Sequence, residues 1–134
     1  MALQHEGLHA VELRRFDISG PVEIVPRKLG DSRGYFAEVF REDRFGEAAG
    51  GVTFVQENQS LSAQVGTIRG LHFQTHPMAQ GKLVRCVAGA IFDVAVDLRP
   101  DSSTFGQWIA VELTAGACNQ LWVPAGFAHG FCTL

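Results

Sequence analysis

The sequence holds no CxxC pair, no His-x-His pair, and no glycine motif of the GxxxxGK[ST] or GxGxxG kind. These absences exclude paired-thiol redox chemistry and a glycine loop that cradles phosphate. No G-x-S-x-G elbow and no Cys–His arrangement supports a nucleophilic mechanism. Only three cysteines occur, Cys86, Cys118 and Cys132, an odd number that reads as reduced thiols in a cytoplasmic protein. A basic stripe is missing and the formal net charge is −3, so nucleic acid is not an expected partner. The longest apolar run, 83–96, is broken by Arg85 and Asp93, which excludes a membrane-crossing helix there, and no membrane association is expected. The first sixteen residues contain no uninterrupted apolar core of signal-peptide length.

A different scarcity marks the functional stretch. Residues 67–85, TIRGLHFQTHPMAQGKLVR, contain no acid at all, yet gather Arg69, His72, Gln74, His76, Lys82 and Arg85 among small and apolar residues. A solvated charged face normally mixes both signs, so this run points to a concave site that receives an anion and moves protons.

What is abundant suggests the scaffold. Hydrophobic residues make up 46% and charged residues 19% of the 134 residues, a globular composition suited to one domain spanning 1–134. Glycine (15) and phenylalanine (10) are frequent, and short apolar runs alternate with Gly, Pro, Asp and Asn. That pattern predicts many short strands and tight turns.

The first ten residues read as an arm, with 1–20 forming an N-terminal arm and first strand region. Strands are predicted at 22–26, 35–41, 53–60, 68–74, 82–88, 91–98, 108–113, 121–123 and 127–134. Asp43 is expected to cap one short helix through about Ala49, ended by Gly50-Gly51. Phe36, Glu38 and Phe40 would share one strand face, as would Gln56 and Asn58, whose amides either line a pocket or face water. In 91–98, Phe92, Val94, Val96 and Leu98 are expected to face the core, with Asp93 and Asp97 opposite. Arg69 has the wrong parity to join His72 unless Gly70 sits in a bulge. Eight or nine short strands in one domain indicate an all-β sandwich or barrel, such as a double-sheet jelly roll. The apolar strand pattern runs to Leu134 with no closing turn, so the jelly roll is expected to be C-terminally incomplete.

His72 is the best candidate base, because an imidazole exchanges protons near neutral pH. The competing reading is a core histidine satisfied by a backbone carbonyl. Lys82 either stabilises an anion or developing enolate, or is a solvated strand-end lysine. His72, His76 and His129 together could form an open zinc site, although no carboxylate lies within ten residues of His72. Arg33, Arg69, Lys82 and Arg85 are available to hold a phosphate.

Seven segments, DSRGYFAEVF (31–40), FVQENQSLS (54–62), RGLHFQ (69–74), GKLVRCVAG (81–89), IFDVAVDLR (91–99), STFGQW (103–108) and VPAGFAHGF (123–131), occur in an order that resembles the dTDP-4-dehydrorhamnose 3,5-epimerase family. The resemblance covers roughly residues 20–134. It implies a cupin-like double-stranded β-helix, a homodimer with strand exchange, no metal and no other cofactor. The implied activity is epimerisation at C3 and C5 of a dTDP-4-keto-6-deoxyhexose, in deoxysugar or dTDP-rhamnose biosynthesis. Alternatives are epimerisation at C3 alone, or a truncated homologue that binds a dTDP-sugar without turning it over.

By the same resemblance, His72 is the base and Lys82 stabilises the enolate oxygen. Gln56, Asn58, Arg69 and His129 contact the substrate, while Arg33, Phe36 and Glu38 reach into the partner's nucleotide site. Asp93 and Asp97 are expected to tune His72 or line the cavity. The family's general acid is a tyrosine about ten residues past the segment matching GFAHGF, and its histidine-orienting aspartate lies further on. Both positions fall beyond Leu134, and Tyr35 is the single tyrosine present. Loss of a general acid is expected to cost about 10²–10⁴-fold in rate.

Overall fold

Four buried positions, Ile91, Asp93, Ala95 and Asp97, alternate along an eight-residue strand and mark the inside of the molecule. The computed structural model describes residues 11–134; the arm expected at 1–10 lies outside the described residues. In chain order the strands are β1 (Val11–Arg15), β2 (Val22–Pro26), β3 (Lys28–Asp31), β4 (Gly34–Ala37), β5 (Ile68–His72), β6 (Lys82–Arg85), β7 (Ala90–Asp97), β8 (Trp108–Thr114), β9 (Gln120–Val123) and β10 (Phe127–Thr133). One helix, α1 (Glu42–Ala49), occurs among the described residues.

Two four-stranded antiparallel sheets, ordered β1-β2-β9-β6 and β5-β10-β7-β8, make the sandwich, and β3-β4 form a separate ribbon. This is the all-β jelly roll expected from the strand pattern, and the cupin-like arrangement that the family resemblance implies. Ile18, Cys86, Ile91, Ala95, Leu113, Leu121, Val123 and Phe127 fill the space between the sheets. Each fully buried aliphatic side chain there contributes about 1.5–3 kcal/mol. A second cluster, Val22, Ile24, Phe45 and Trp122, lies on the other side of the first sheet, where α1 covers it. Phe45 meets Trp122 edge-on at 5.2 Å, and Phe54 packs on Phe45 at 5.1 Å.

The structure corrects several expectations. The parity of β7 is inverted: Asp93 and Asp97 point inward, Phe92 is exposed, and Val94 and Val96 are only half-buried. Both acids are inside because both have hydrogen-bonding partners there, His129 for Asp93 and Arg99 with two hydroxyls for Asp97, which offsets the cost of burying a carboxylate. The strand expected at 53–60 is not formed. That segment is exposed and irregular, because no neighbouring strand among the described residues offers it a ladder. The strand expected at 35–41 ends at Ala37, after pairing with β3 across the Ser32-Arg33 turn. β1 falls in the first strand region expected within 1–20, whereas β3 was not anticipated. Asp43 is not the N-cap of α1; Arg41 occupies that position without a side-chain cap, and Asp43 accepts from the Arg44 backbone at 3.0 Å. Gly50 ends the helix at φ +74, its N–H donating to Gly46 at 2.9 Å.

The ribbon is held against the turn that follows β8. Lys28 donates to the Gly116 carbonyl and lies 4.1 Å from the Tyr35 ring centroid, and the Tyr35 hydroxyl sits 3.3 Å from Cys118 Sγ.

Candidate active site

The site starts at the pairing of β5 with β10. His129 lies opposite His72, and Phe131 lies opposite Arg69. Three residues on β5 thus span two on β10, so β5 carries a bulge at Gly70-Leu71. Directly opposed residues share a sheet face. His129 also opposes Ala95, a core residue, so His129, His72 and Arg69 all belong to the inward face. The bulge has a steric cause. Gly70 has φ +113, and a Cβ built there would meet the His129 carbonyl oxygen at 2.7 Å.

His129 is buried, 7% exposed, and its Nε2 lies 2.7 Å from Asp93 Oδ1. Asp93 is itself fully buried. Burial pushes its carboxyl above the usual carboxylate range, against the pull of His129 and of the Lys82 ammonium. Lys82 opens β6 on the first sheet. It opposes Val123, a core residue, so it projects inward and is half-buried. A continuous path of neighbours therefore joins the two sheets: His72 beside His129, His129 bonded to Asp93, and Asp93 within electrostatic reach of Lys82.

His72 is exposed and makes no hydrogen bond to another described residue. The reading of a core histidine satisfied by a carbonyl does not describe it. Asp93 bonds His129 and not His72, so of the two expectations for it, tuning His72 or lining the cavity, its inward position fits the second. Asp97 is engaged elsewhere. Arg99 Nε donates to it at 3.0 Å and the Ser102 and Thr104 hydroxyls each donate at 2.6 Å.

Arg69 is exposed, with Nε donating to Ser62 Oγ at 3.0 Å and Nη2 to the Leu61 carbonyl at 3.0 Å. Gln56 Nε2 donates to Asn58 Oδ1 at 3.3 Å, so their amides do share a side, but on the irregular exposed segment. Arg33 sits at the ribbon turn, bonded to Asp31 at 2.5 Å, and Phe36 is 64% exposed on β4. Glu38 lines a crevice of about 20 Å³ with Arg41 and Arg44, room for one water and not for a sugar. Among the described residues, these three lie on the ribbon and the segment before α1, apart from the β5–β10 pairing that carries His72. His76 follows β5 in an exposed turn, and among the described residues no group of three His, Cys, Asp or Glu is placed to hold a metal.

An exposed imidazole, a buried imidazole on a carboxylate and an inward ammonium can together receive a proton and hold a developing oxyanion. Comparison with known proteins identifies the family. A family model described as dTDP-4-dehydrorhamnose 3,5-epimerase matches residues 15–134. The chain belongs to the dTDP-4-dehydrorhamnose 3,5-epimerase family. It is 64% identical over 111 residues to the dTDP-4-dehydrorhamnose 3,5-epimerase of Sinorhizobium fredii, across 83% of this chain and 57% of that relative. The Bacillus anthracis 3,5-epimerase, solved with TDP and PPi bound, superposes with a TM-score of 0.87 at 49% identity, over 93% of this chain and 71% of that one. The Legionella pneumophila epimerase in complex with dTDP-4-keto-L-rhamnose gives 0.85 at 46% identity, over 93% and 66%. The chain spans about three fifths of the length of the curated epimerases it matches.

Asp93, the partner of His129, is the residue whose position sequence reasoning misjudged. The signal was available: an acid in the middle of an apolar strand needs a partner inside.

Proposed function

We propose that this chain carries proton-transfer machinery for epimerisation at C3 and C5 of a dTDP-4-keto-6-deoxyhexose, as in dTDP-rhamnose biosynthesis. The hydrogens on C3 and C5 are acidic because the C4 carbonyl takes up the carbanion's charge as an enolate. His72, exposed and unencumbered, removes the proton. Lys82 faces the enolate oxygen and lowers its energy. His129 and Arg69 contact the substrate from the same inward face, and Gln56 and Asn58 from the neighbouring segment. The observation that carries this reading is the β5 bulge, which aligns Arg69 and His72 with His129 across from an inward Lys82.

The reading extends to a homodimer with strand exchange, in which Arg33, Phe36 and Glu38 serve the partner's nucleotide site. Its support is apolar surface outside the core. The outer face of the second sheet exposes Ile68, Phe92 and Trp108, and the 53–65 segment exposes Val55, Leu61 and Val65. A second copy of this chain would cover both. Three free cysteines, Cys86, Cys118 and Cys132, suit a reducing cytoplasm. No helix among the described residues is long and apolar enough to cross a membrane.

The test is solvent exchange. The chain incubated with a dTDP-4-keto-6-deoxyhexose in D₂O is expected to place deuterium at C3 and C5, and His72→Ala to abolish it. Exchange undiminished in His72→Ala overturns the base assignment. Deuterium at C3 alone identifies a C3 epimerase, and binding of thymidine nucleotide without exchange identifies a sugar-nucleotide binder. Sedimentation that finds a monomer at every concentration overturns the dimer.

A further inference from the structure

The inner face of β7 carries Ile91, Asp93, Ala95 and Asp97, and its two acids are treated differently. Asp97 receives four side-chain donations, two from Arg99 and one each from Ser102 and Thr104. Asp93, equally buried, receives one at Oδ1, and its Oδ2 is buried with no hydrogen-bond partner. A half-satisfied buried carboxylate is costly, and an apolar residue there would pack more cheaply. Such an orphaned group calls for a reason outside stability.

Geometry supplies one. An imidazole bonded through Nε2 has its ring orientation and tautomer set by that bond, which leaves Nδ1 as the nitrogen for a ligand. The groups around Asp93 come from three elements: His129 on β10, Lys82 on β6, and Arg69, opposite Phe131, on β5. All three can be cationic, and Asp93 is the acid among them. Without it, an ammonium and an imidazolium would repel each other beside the same substrate.

We infer that Asp93 is a positioning residue of the site: through Oδ1 it fixes His129 with Nδ1 free for the substrate, and it holds His129 and Lys82 together as a compatible pair. This rests on the epimerase reading for its kinetic consequence, but not for the pairing itself.

The experiment uses the full chain, ¹⁵N-labelled, and Asp93→Asn. Imidazole nitrogen spectra across a pH titration are expected to show His129 with a proton on Nε2, slow to exchange. In Asp93→Asn, where a neutral amide oxygen replaces the carboxylate, that Nε2 proton should exchange markedly faster. The C3/C5 deuterium-exchange kcat should drop about 10–100-fold, with KM within about twofold and the melting temperature unchanged or raised. An Nε2 proton that exchanges no faster in Asp93→Asn overturns the pairing. A faster-exchanging Nε2 proton with unchanged kcat makes Asp93 merely structural and overturns its positioning role. If Asp93→Asn does not fold, the parent decides: a His129 Nε2 proton that exchanges as fast as those of exposed histidines overturns the inference. If the parent shows no deuterium exchange, the epimerase reading falls, and the nitrogen spectra decide the pairing on their own.

Discussion

Gly70 and Gly130 back onto each other across the β5–β10 pair, closer than any side chain allows. A Cβ on Gly70 would lie 2.7 Å from Gly130 Cα, and a Cβ on Gly130 would lie 2.8 Å from the Arg69 carbonyl oxygen. The listing toward the inside of both Arg69 and His72 depends on this contact, because the bulge that reconciles their parity sits at Gly70. Gly70→Ala adds a methyl against backbone that has nowhere to go, at a φ of +113 that L side chains rarely adopt. The expected cost is about 3 kcal/mol in urea unfolding. The folded fraction should also lose deuterium exchange at the sugar, since His72 loses its register opposite His129. Full stability in Gly70→Ala would refute the close approach.

That bulge was legible in the sequence, as a parity conflict with a glycine beside it. So were the strands from β5 to β10, where apolar alternation and Gly or Pro turns agree. The parity of β7 was not legible. Phe92, Val94 and Val96 are the more apolar set, and apolar content alone assigns them inward. The choice was made by partners distant in sequence, His129 for Asp93 and Arg99 with its loop for Asp97. Residues 53–60 show the opposite failure. Their alternation suits a strand, but strand formation needs a neighbour, and periodicity carries no information about whether one exists. The site residues were legible as types, while the grouping of His129 with Asp93 required the fold.

Asp97 should govern acid stability. The Arg99 guanidinium, with the Ser102 and Thr104 hydroxyls, holds its carboxyl well below the usual carboxylate range. A folded-state pKa below the unfolded value stabilises the fold above about pH 4, and that contribution is lost as pH falls below it. Arg99 also donates to the Ser19 carbonyl at 2.7 Å, so the cluster ties the 99–104 loop to the chain before β2. Asp97→Asn is expected to cost about 2–3 kcal/mol at pH 7, less than a fully buried pair would, because solvent screens the partly exposed Arg99. The gap between variant and parent should narrow steadily as the pH is lowered from 4 to 2, because the unfolded carboxyl takes up its proton while the folded one, held low by Arg99, is only beginning to. Urea unfolding at pH 7, 4 and 2 checks this, and a gap independent of pH would refute it.

Lys82 offers the cleanest separation of chemistry from folding. Its aliphatic stem lies between the sheets near Val123 and Val84, so Lys82→Met keeps the packing and removes only the charge. A half-buried ammonium makes a weak case for stability, and its loss should leave the melting temperature unchanged or raised. The loss should raise the Asp93 carboxyl still further, since Lys82 is one of the groups pulling it down. The enolate formed when His72 takes a proton would then face no cation. On the magnitude typical of a lost oxyanion donor, deuterium exchange at C3 and C5 should fall about 10²–10³-fold. KM should change far less, because the enolate's charge exists in the transition state and not in the ketone. Exchange within tenfold of the parent would instead leave Lys82 as a strand-end residue, and the oxyanion would need another partner, of which Arg69 and His129 are the cationic candidates on the same face.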